Sequence, residues 1–162
     1  MFNLKAEFYL KIIFLFSFIA LISAFFIEYI LGHQPCNLCI IERIPYLLSI
    51  MIIIVIFLIK KNQKFLVMLL TLTFIFSFAI SFYHFGIEQG FFQESSVCGV
   101  KSLTEIITKE DLLKQLSEKT ISCKDVTFRI FGLSLTSINI MISLLFIISL
   151  SKVLIIYEKN KQ

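Results

Sequence analysis

Tryptophan is absent from this 162-residue chain, and only two prolines and five glycines are present. Charged residues are also scarce, at 16% of the chain, whereas soluble domains contain about 25%. Hydrophobic residues reach 58%, and a water-soluble fold of this length could not bury so much apolar surface. The net charge of +4 does not indicate nucleic-acid binding, because the lysines lie in short clusters between apolar runs.

Four long apolar runs account for this composition. A helix needs about 20 mostly apolar residues to cross the hydrocarbon core, and lysines at its ends can reach the interface. The first run could instead be a cleaved signal peptide, but it exceeds the usual apolar region of about 7–15 residues and lacks an A-x-A site. The sequence therefore predicts an all-α integral membrane protein, a four-transmembrane-helix antiparallel bundle forming one membrane domain over residues 1–162. The predicted spans are residues 12–31, 44–59, 65–83 and 130–151.

The lysines outside the runs predict the orientation of the spans. The N-terminal segment, the connection between the second and third spans and the C-terminal tail each carry several lysines. The positive-inside rule therefore places both termini in the cytoplasm and the loops 32–43 and 84–129 outside. In the longer loop, a capping box and helically spaced leucines predict a helix from Leu103 to Glu118, which either lies on the membrane or covers the core of its own loop.

All four cysteines fall in the two outer loops. Cys36 and Cys39 form a C-x-x-C pair, a spacing typical of catalytic dithiols, whereas Cys98 and Cys123 lie far apart in the longer loop. Structural zinc sites usually have two C-x-x-C-like pairs, and haem attachment requires a histidine where Ile40 stands, so no metal is predicted. Two inert structural disulfides are the competing interpretation, and four cysteines allow three pairings.

Two further side chains could act with the first cysteine pair. If the backbone is helical, Arg43 lies one turn after Cys39 and would favour its thiolate. Pro45 disfavours a helical residue before it, so Cys39–Arg43 could instead form a separate turn. His84 ends the third predicted span at about the depth of Arg43. Both could donate hydrogen bonds to the polar headgroup of a lipid-soluble cofactor, or both could be interfacial anchors.

Three segments together form a recognisable pattern: Pro35–Tyr46 (PCNLCIIERIPY), Tyr83–Phe92 (YHFGIEQGFF), and Cys123–Val126 with Arg129–Ser134 and Asn139. They resemble the disulfide bond formation protein B family (DsbB), bacterial inner-membrane enzymes that reoxidise the periplasmic dithiol oxidase DsbA. Related sequences often carry tryptophan after Gly90, where this chain has phenylalanines.

The resemblance implies a quinone-linked thiol–disulfide oxidoreductase in the bacterial inner membrane, with its cysteine loops in the periplasm. A DsbA-like periplasmic thiol oxidase would attack Cys98 of a Cys98–Cys123 pair. Cys123 would then exchange with Cys36, and Cys39 would react with ubiquinone or menaquinone. A quinone suits this task, because DsbA, at about −120 mV, is too oxidising for glutathione-like pools to reoxidise.

By the same resemblance, Arg43 and His84 would lie near the quinone ring. The alternative function is a non-catalytic four-span membrane protein whose outer loops are held by structural disulfides.

Overall fold

The computed structural model describes residues 4–59, 62–94, 98, 122–124, 129–130 and 132–159. In these ranges four helical segments are long and apolar enough to cross a membrane, which confirms the predicted four-helix membrane fold. The helix predicted from Leu103 to Glu118 lies outside the described residues. The helices are α1 (Leu4–Tyr29), α2 (Asn37–Ile41), α3 (Arg43–Leu58), α4 (Gln63–Glu88) and α5 (Leu135–Lys159).

Contacts between helix ends establish an antiparallel bundle. Arg43, which begins α3, forms an ion pair with Glu28 near the end of α1. Thr136 at the start of α5 donates a hydrogen bond of 2.6 Å to Glu88, the last residue of α4. We call this end of the bundle, where α1 and α4 terminate and α3 and α5 begin, the site end.

The second span contains a break that brings a polar side chain to the site end. Pro45 has no N–H group and cannot donate to the carbonyl of Ile41, so the helical hydrogen bonding stops there. The short helix α2 therefore ends at Ile41, and α3 begins after Glu42. Glu42 itself keeps a helical conformation (φ −63°, ψ −17°), so the chain continues in nearly the same direction. Cys39 therefore lies in α2 and Arg43 begins α3, so the structure shows neither one uninterrupted helix nor a separate turn from Cys39 to Arg43.

The fourth span begins at Leu135, later than the predicted residue 130. The preceding residues form a small antiparallel hairpin in which β1 (Arg129–Ile130) pairs with β2 (Leu133–Ser134). Gly132 adopts φ +82° in its turn, a conformation that glycine adopts without steric cost. Conversely, α1 begins before the first apolar run. Charged residues continue a helix beyond the hydrocarbon core, so the apolar run marks only the membrane-buried part.

Small hydroxyl side chains lie between the helices, while many large apolar side chains face outward. Ser49 donates to Ser17 across α3 and α1 (3.0 Å), and Ser143 donates to Ser77 across α5 and α4 (3.1 Å). Small residues let helix backbones approach closely within a bilayer, where lipid solvates the outer apolar side chains. Away from the site end, the interior is apolar. It contains Leu10, Ile13, Ile53, Ile56, Leu70, Phe74 and Leu150.

Candidate active site

The C-x-x-C pair lies at the N-terminus of α2, with Cys36 just before the helix and Cys39 in its first turn. Cys36 is the N-cap residue, with extended backbone angles (φ −72°, ψ 167°), and its sulfur accepts a hydrogen bond of 3.3 Å from the backbone N–H of Cys39. This turn also places the two sulfur atoms 2.7 Å apart as unbonded thiols. The local helix therefore sets the short distance that dithiol–disulfide exchange requires.

The surroundings of Cys36 favour its thiolate. The Cys39 thiol donates to the Cys36 sulfur, and this hydrogen bond is the main reason that the pKa of Cys36 lies below its ordinary value. Burial opposes the shift, while His84 and the backbone N–H of Cys39 reinforce it. A thiolate is the reactive form in thiol–disulfide exchange, so Cys36 is prepared to act as a nucleophile.

His84 lies directly behind Cys36 and is only 2% exposed. Its Nε2 is 3.6 Å from the Cys36 sulfur, and its Nδ1 is 2.8 Å from Oε1 of Glu42. A carboxylate accepts hydrogen bonds only, so Nδ1 carries the proton in this contact and Nε2 is left as the acceptor facing the thiol. The arrangement is a thiol, an imidazole and a carboxylate in a row.

Glu42 is held from its other side by α5. Asn139 donates from Nδ2 to Oε2 of Glu42 at 3.0 Å and lies 2.7 Å from the Ser81 hydroxyl. The hydroxyl of Tyr46 donates to Oδ1 of the same amide. Both carboxylate oxygens of Glu42 are therefore occupied, as expected for a buried charge. Sequence reasoning assigned no role to Glu42 or Asn139, although both lie within the segments that carry the family resemblance.

A second buried carboxylate lies near the imidazole. Glu88 accepts the hydrogen bond from Thr136, and its Oε1 lies 3.9 Å from Nε2 of His84. Its Oε2 is buried without a hydrogen-bond partner among the described residues. Two carboxylates thus approach His84, so a positive charge on the imidazole would be stabilised from both.

The other cysteine pair joins the same region. Cys98 and Cys123 form a disulfide with a Cα–Cα distance of 5.7 Å, the pairing that the family resemblance implied. Their side chains are 1% and 3% exposed and belong to one buried cluster with Cys36, Leu38 and Ile87. The structure therefore brings the two cysteine pairs, which lie in different loops, into a single packed group.

Glu94 forms hydrogen bonds with both residues that flank Cys123. Its Oε1 accepts hydrogen bonds from the hydroxyl of Ser122 and, at 3.0 Å, from the backbone N–H of Lys124. The cysteine between these two residues is thereby held close to the end of α4. This contact was not predicted, because residues about 30 positions apart carry no periodic signal of their proximity.

An apolar cavity of about 370 Å³ opens between α1, α3 and α5 at the site end. The imidazole of His33, the thiol of Cys39, the carboxylate of Glu42 and the guanidinium of Arg43 lie on its wall, and Cys36 and His84 are not among its described lining residues. Phe16 and Ile19 line it from α1 and are each about half exposed on the outer face of the bundle. Since that face contacts lipid in a membrane, the cavity can be entered from the bilayer.

Arg43 and His84 occupy different positions relative to this cavity. Arg43 lines it, as Cys39 does, and its guanidinium forms the ion pair with Glu28 and lies 5.3 Å from the centroid of the Phe25 ring. His84, in contrast, contacts Cys36 and Glu42 behind the cavity wall. Of the two predicted cofactor-binding residues, Arg43 thus shares the cavity with Cys39, whereas His84 contacts Cys36.

The sulfurs of Cys36 and Cys39 and the imidazole of His84 lie within 4.8 Å of one another, as metal ligands could. Structural zinc sites take four protein ligands, and this group has three members among the described residues. The absence of a metal stays a prediction.

Comparisons with known proteins identify the family. The family model for disulfide bond formation protein DsbB matches residues 6–152. An "Uncharacterized protein RP370" of Rickettsia prowazekii (strain Madrid E) is 32% identical over 147 residues, covering 90% of this chain and 86% of its own length. No solved structure matches the chain. The chain belongs to the DsbB family, which implies a multi-pass membrane protein with disulfide oxidoreductase activity.

Proposed function

We propose that this protein reoxidises a DsbA-like periplasmic dithiol oxidase and passes the two electrons to a membrane quinone. The observation that carries the proposal is the position of the two cysteine pairs. They share one buried cluster, and Cys39 lies on the wall of a cavity that opens toward the bilayer. The net reaction turns a partner dithiol and a quinone into a partner disulfide and a quinol.

The first exchange takes place at the Cys98–Cys123 disulfide. A thiolate of the reduced partner attacks Cys98, forms a mixed disulfide and releases Cys123 as a thiolate. The second partner thiolate then resolves the mixed disulfide. Because Cys98 is buried, its sulfur must become exposed before an external protein can attack it. The released Cys123 can exchange with a Cys36–Cys39 disulfide because both pairs lie in the same cluster.

The residues around the cavity fit a quinone headgroup. The volume of the cavity falls in the range of about 300–1,000 Å³ that small-molecule sites occupy, and the cavity wall is mostly apolar. Arg43 would donate hydrogen bonds to a carbonyl oxygen, and Cys39 would present its sulfur. When bound, a quinone supplies the two-electron acceptor that the dithiol pair needs. The apolar side chains of α1 and α5 exclude water from the thiols.

We also place the site end on the periplasmic side of the inner membrane, on the basis of the lysine distribution. Lys64, at the opposite end of the bundle, has a side chain about half exposed. In intact cells, Lys64→Cys in a background without the four native cysteines should resist a membrane-impermeant thiol reagent until the membrane is opened. Labelling of intact cells would reverse the proposed orientation.

The function is tested by anaerobic turnover with a reduced DsbA-type protein and a soluble quinone analogue, following quinone absorbance. We expect stoichiometric quinol and partner disulfide. Single Cys→Ala variants at the four cysteines should each abolish turnover while the helical content is unchanged, since the helices satisfy their own backbone hydrogen bonds. If Cys39→Ala and Cys98→Ala turned over normally, the disulfides would be structural and the proposal wrong.

A further inference from the structure

The two thiols of the C-x-x-C pair differ in their access to the cavity. Cys39 lies on its wall, whereas Cys36 is not among its described lining residues and is only 6% exposed. Oxidation of this pair breaks two S–H bonds, forms one S–S bond and releases two electrons and two protons. The proton of Cys39 can leave directly at the cavity. The proton of Cys36 needs a carrier.

The structure contains a continuous set of contacts from Cys36 to the cavity. The sulfur of Cys36 faces Nε2 of His84 at 3.6 Å, and Nδ1 on the opposite side of the ring is 2.8 Å from Oε1 of Glu42. Glu42, in turn, forms part of the cavity wall. An imidazole can accept a proton at one ring nitrogen and release one from the other, so it can connect a thiol to a carboxylate.

We propose that His84 and Glu42 form a proton relay that carries the proton of Cys36 to the cavity, where the electrons of the dithiol are delivered. The inference rests on the proposed quinone-linked function and adds two residues to it. His84 accepts the Cys36 proton at Nε2 and releases the proton from Nδ1 to Glu42. Glu42 then delivers it to a quinone oxygen. The two thiol protons thus become the two O–H protons of the quinol.

The groups around the imidazole suit this role. Glu42, between α2 and α3, and Glu88 on α4 both approach the ring and stabilise its protonated form, and the Thr136 hydroxyl on α5 is 3.3 Å from Nδ1. Asn139 donates to the second oxygen of Glu42, which fixes the carboxylate with one oxygen toward His84. Burial keeps water from competing for the proton.

The relay also gives His84 a different role from the one that the resemblance implied. As a quinone-headgroup ligand, the ring would need to reach the cavity, whereas it contacts the sulfur of Cys36 instead. The side chain that reaches the cavity from this row is Glu42.

A first test needs no quinone. In a Cys98→Ser/Cys123→Ser background, only the Cys36–Cys39 pair changes redox state, and ¹⁵N NMR of quinone-free protein reports the protonation of each histidine. The chain has two histidines, so the signal lost in His84→Gln identifies His84. We expect a doubly protonated ring in the dithiol form, with the thiolate on Cys36, and a singly protonated ring in the disulfide form. The same protonation state in both forms would overturn the relay.

Substitutions at two carboxylates sharpen this test. Glu42→Gln keeps the size of the side chain and a contact with Asn139 but removes the charge that stabilises the imidazolium, so the redox-linked change at His84 should disappear. Glu28→Gln removes another carboxylate of the site end, one that contacts Arg43 instead. It should retain the change. Equal behaviour of the two variants would contradict the assignment to Glu42.

A second test follows the proton to the quinone. Pre-reduced protein is mixed with a soluble quinone analogue, and the rate of quinol formation in a single turnover is measured in H₂O and in D₂O. General acid–base groups contribute about 10²–10⁴-fold, so Glu42→Gln should slow quinol formation by about 100-fold or more, and Glu42→Asp should recover part of the rate. If the unaltered protein reduced no quinone, the proposed function would fail, while the NMR result would still decide the thiol half of the relay. Normal quinol formation by Glu42→Gln would overturn the relay and leave the function standing.

Discussion

Replacing Arg43 by alanine should impair quinone use far more than exchange with the protein partner. Arg43 lines the cavity, while Cys98, the cysteine that we propose meets the partner, belongs to the buried cluster and is not among the described lining residues. The substitution removes the donors that would hold a quinone carbonyl and a fixed positive charge on the cavity wall. It also removes the packing of the guanidinium over the ring of Phe25.

The expected size follows from the environment of the side chain. A hydrogen bond to a charged group contributes about 1.5–3 kcal/mol, and every 1.4 kcal/mol corresponds to about a factor of ten in affinity. The side chain of Arg43 is 19% exposed and already pairs with Glu28, so solvent and the carboxylate offset part of this. We therefore expect the apparent quinone KM to rise by about 10- to 30-fold, the lower part of the range. Arg43→Lys keeps the charge but not the planar fork of the guanidinium, so its quinone KM should lie between that of the unaltered protein and that of Arg43→Ala.

The assay measures the quinone KM of each variant beside the rate of mixed-disulfide formation through Cys98. Arg43→Ala also leaves Glu28 without its partner, so the double variant Arg43→Ala/Glu28→Ala is the control for an orphaned carboxylate. If the double variant recovered the normal KM, the effect would belong to Glu28. An unchanged KM and kcat in Arg43→Ala, with slowed mixed-disulfide formation, would remove Arg43 from the quinone site and leave it as a loop-positioning residue.

Three further outcomes follow from buried contacts. Asn139→Ala should destabilise the bundle by about 3 kcal/mol or more, because each buried group left unpaired, Glu42 among them, costs about 1–3 kcal/mol; an unchanged Tm in detergent would contradict this. The rate of Cys36 alkylation in the reduced protein should stay nearly constant as the pH falls from about 8 to 6, because its pKa is lowered, whereas an ordinary thiol, with its pKa near 8.5, loses its thiolate over this range. Mass spectrometry measures the rate, with the denatured protein as the control. A tenfold drop in the rate per pH unit would refute the lowered pKa. Gly86→Ala would place Cβ 2.1 Å from the Phe92 ring, so the ring must move. We expect a loss of about 1–3 kcal/mol, and an unchanged Tm would show that the ring relocates freely.

The sequence was sufficient for those features of the fold that depend on local composition. Four apolar runs predicted four spans because a bilayer demands continuous apolar helices. Their exact ends were not predictable in the same way. The helix α1 begins at Leu4 among charged residues, and the fourth span begins late because Gly132 closes a hairpin before it.

The arrangement of the site depended on contacts that no spacing reveals. The C-x-x-C motif marks one cysteine pair, but His84 reaches Glu42 across 42 positions, and Asn139 reaches it across 97. Both contacts arise from the packing of α4 and α5 against the start of the second span. The resemblance pointed to His84 as important, yet only the packed helices show that it faces Cys36.

Pro45 connects the local sequence to the proposed relay. In an uninterrupted helix the backbone of Glu42 would have a ψ of about −42°, whereas ψ is −17° here. The backbone N–H of Glu42 still donates to the Leu38 carbonyl at 2.9 Å, but proline leaves the Ile41 carbonyl without its usual helical donor, so one hydrogen bond of this turn is missing. The carboxylate can then accept hydrogen bonds from His84 on α4 and Asn139 on α5 while bordering the cavity. Pro45→Ala should supply the missing hydrogen bond and bring the backbone at Glu42 closer to regular α-helical angles, which would shift this carboxylate. The redox-linked change at His84 should then weaken although no group of the relay has been removed. If the redox-linked change in the NMR signal of His84 were the same in Pro45→Ala as in the unaltered protein, packing by α4 and α5, rather than the proline, would position Glu42.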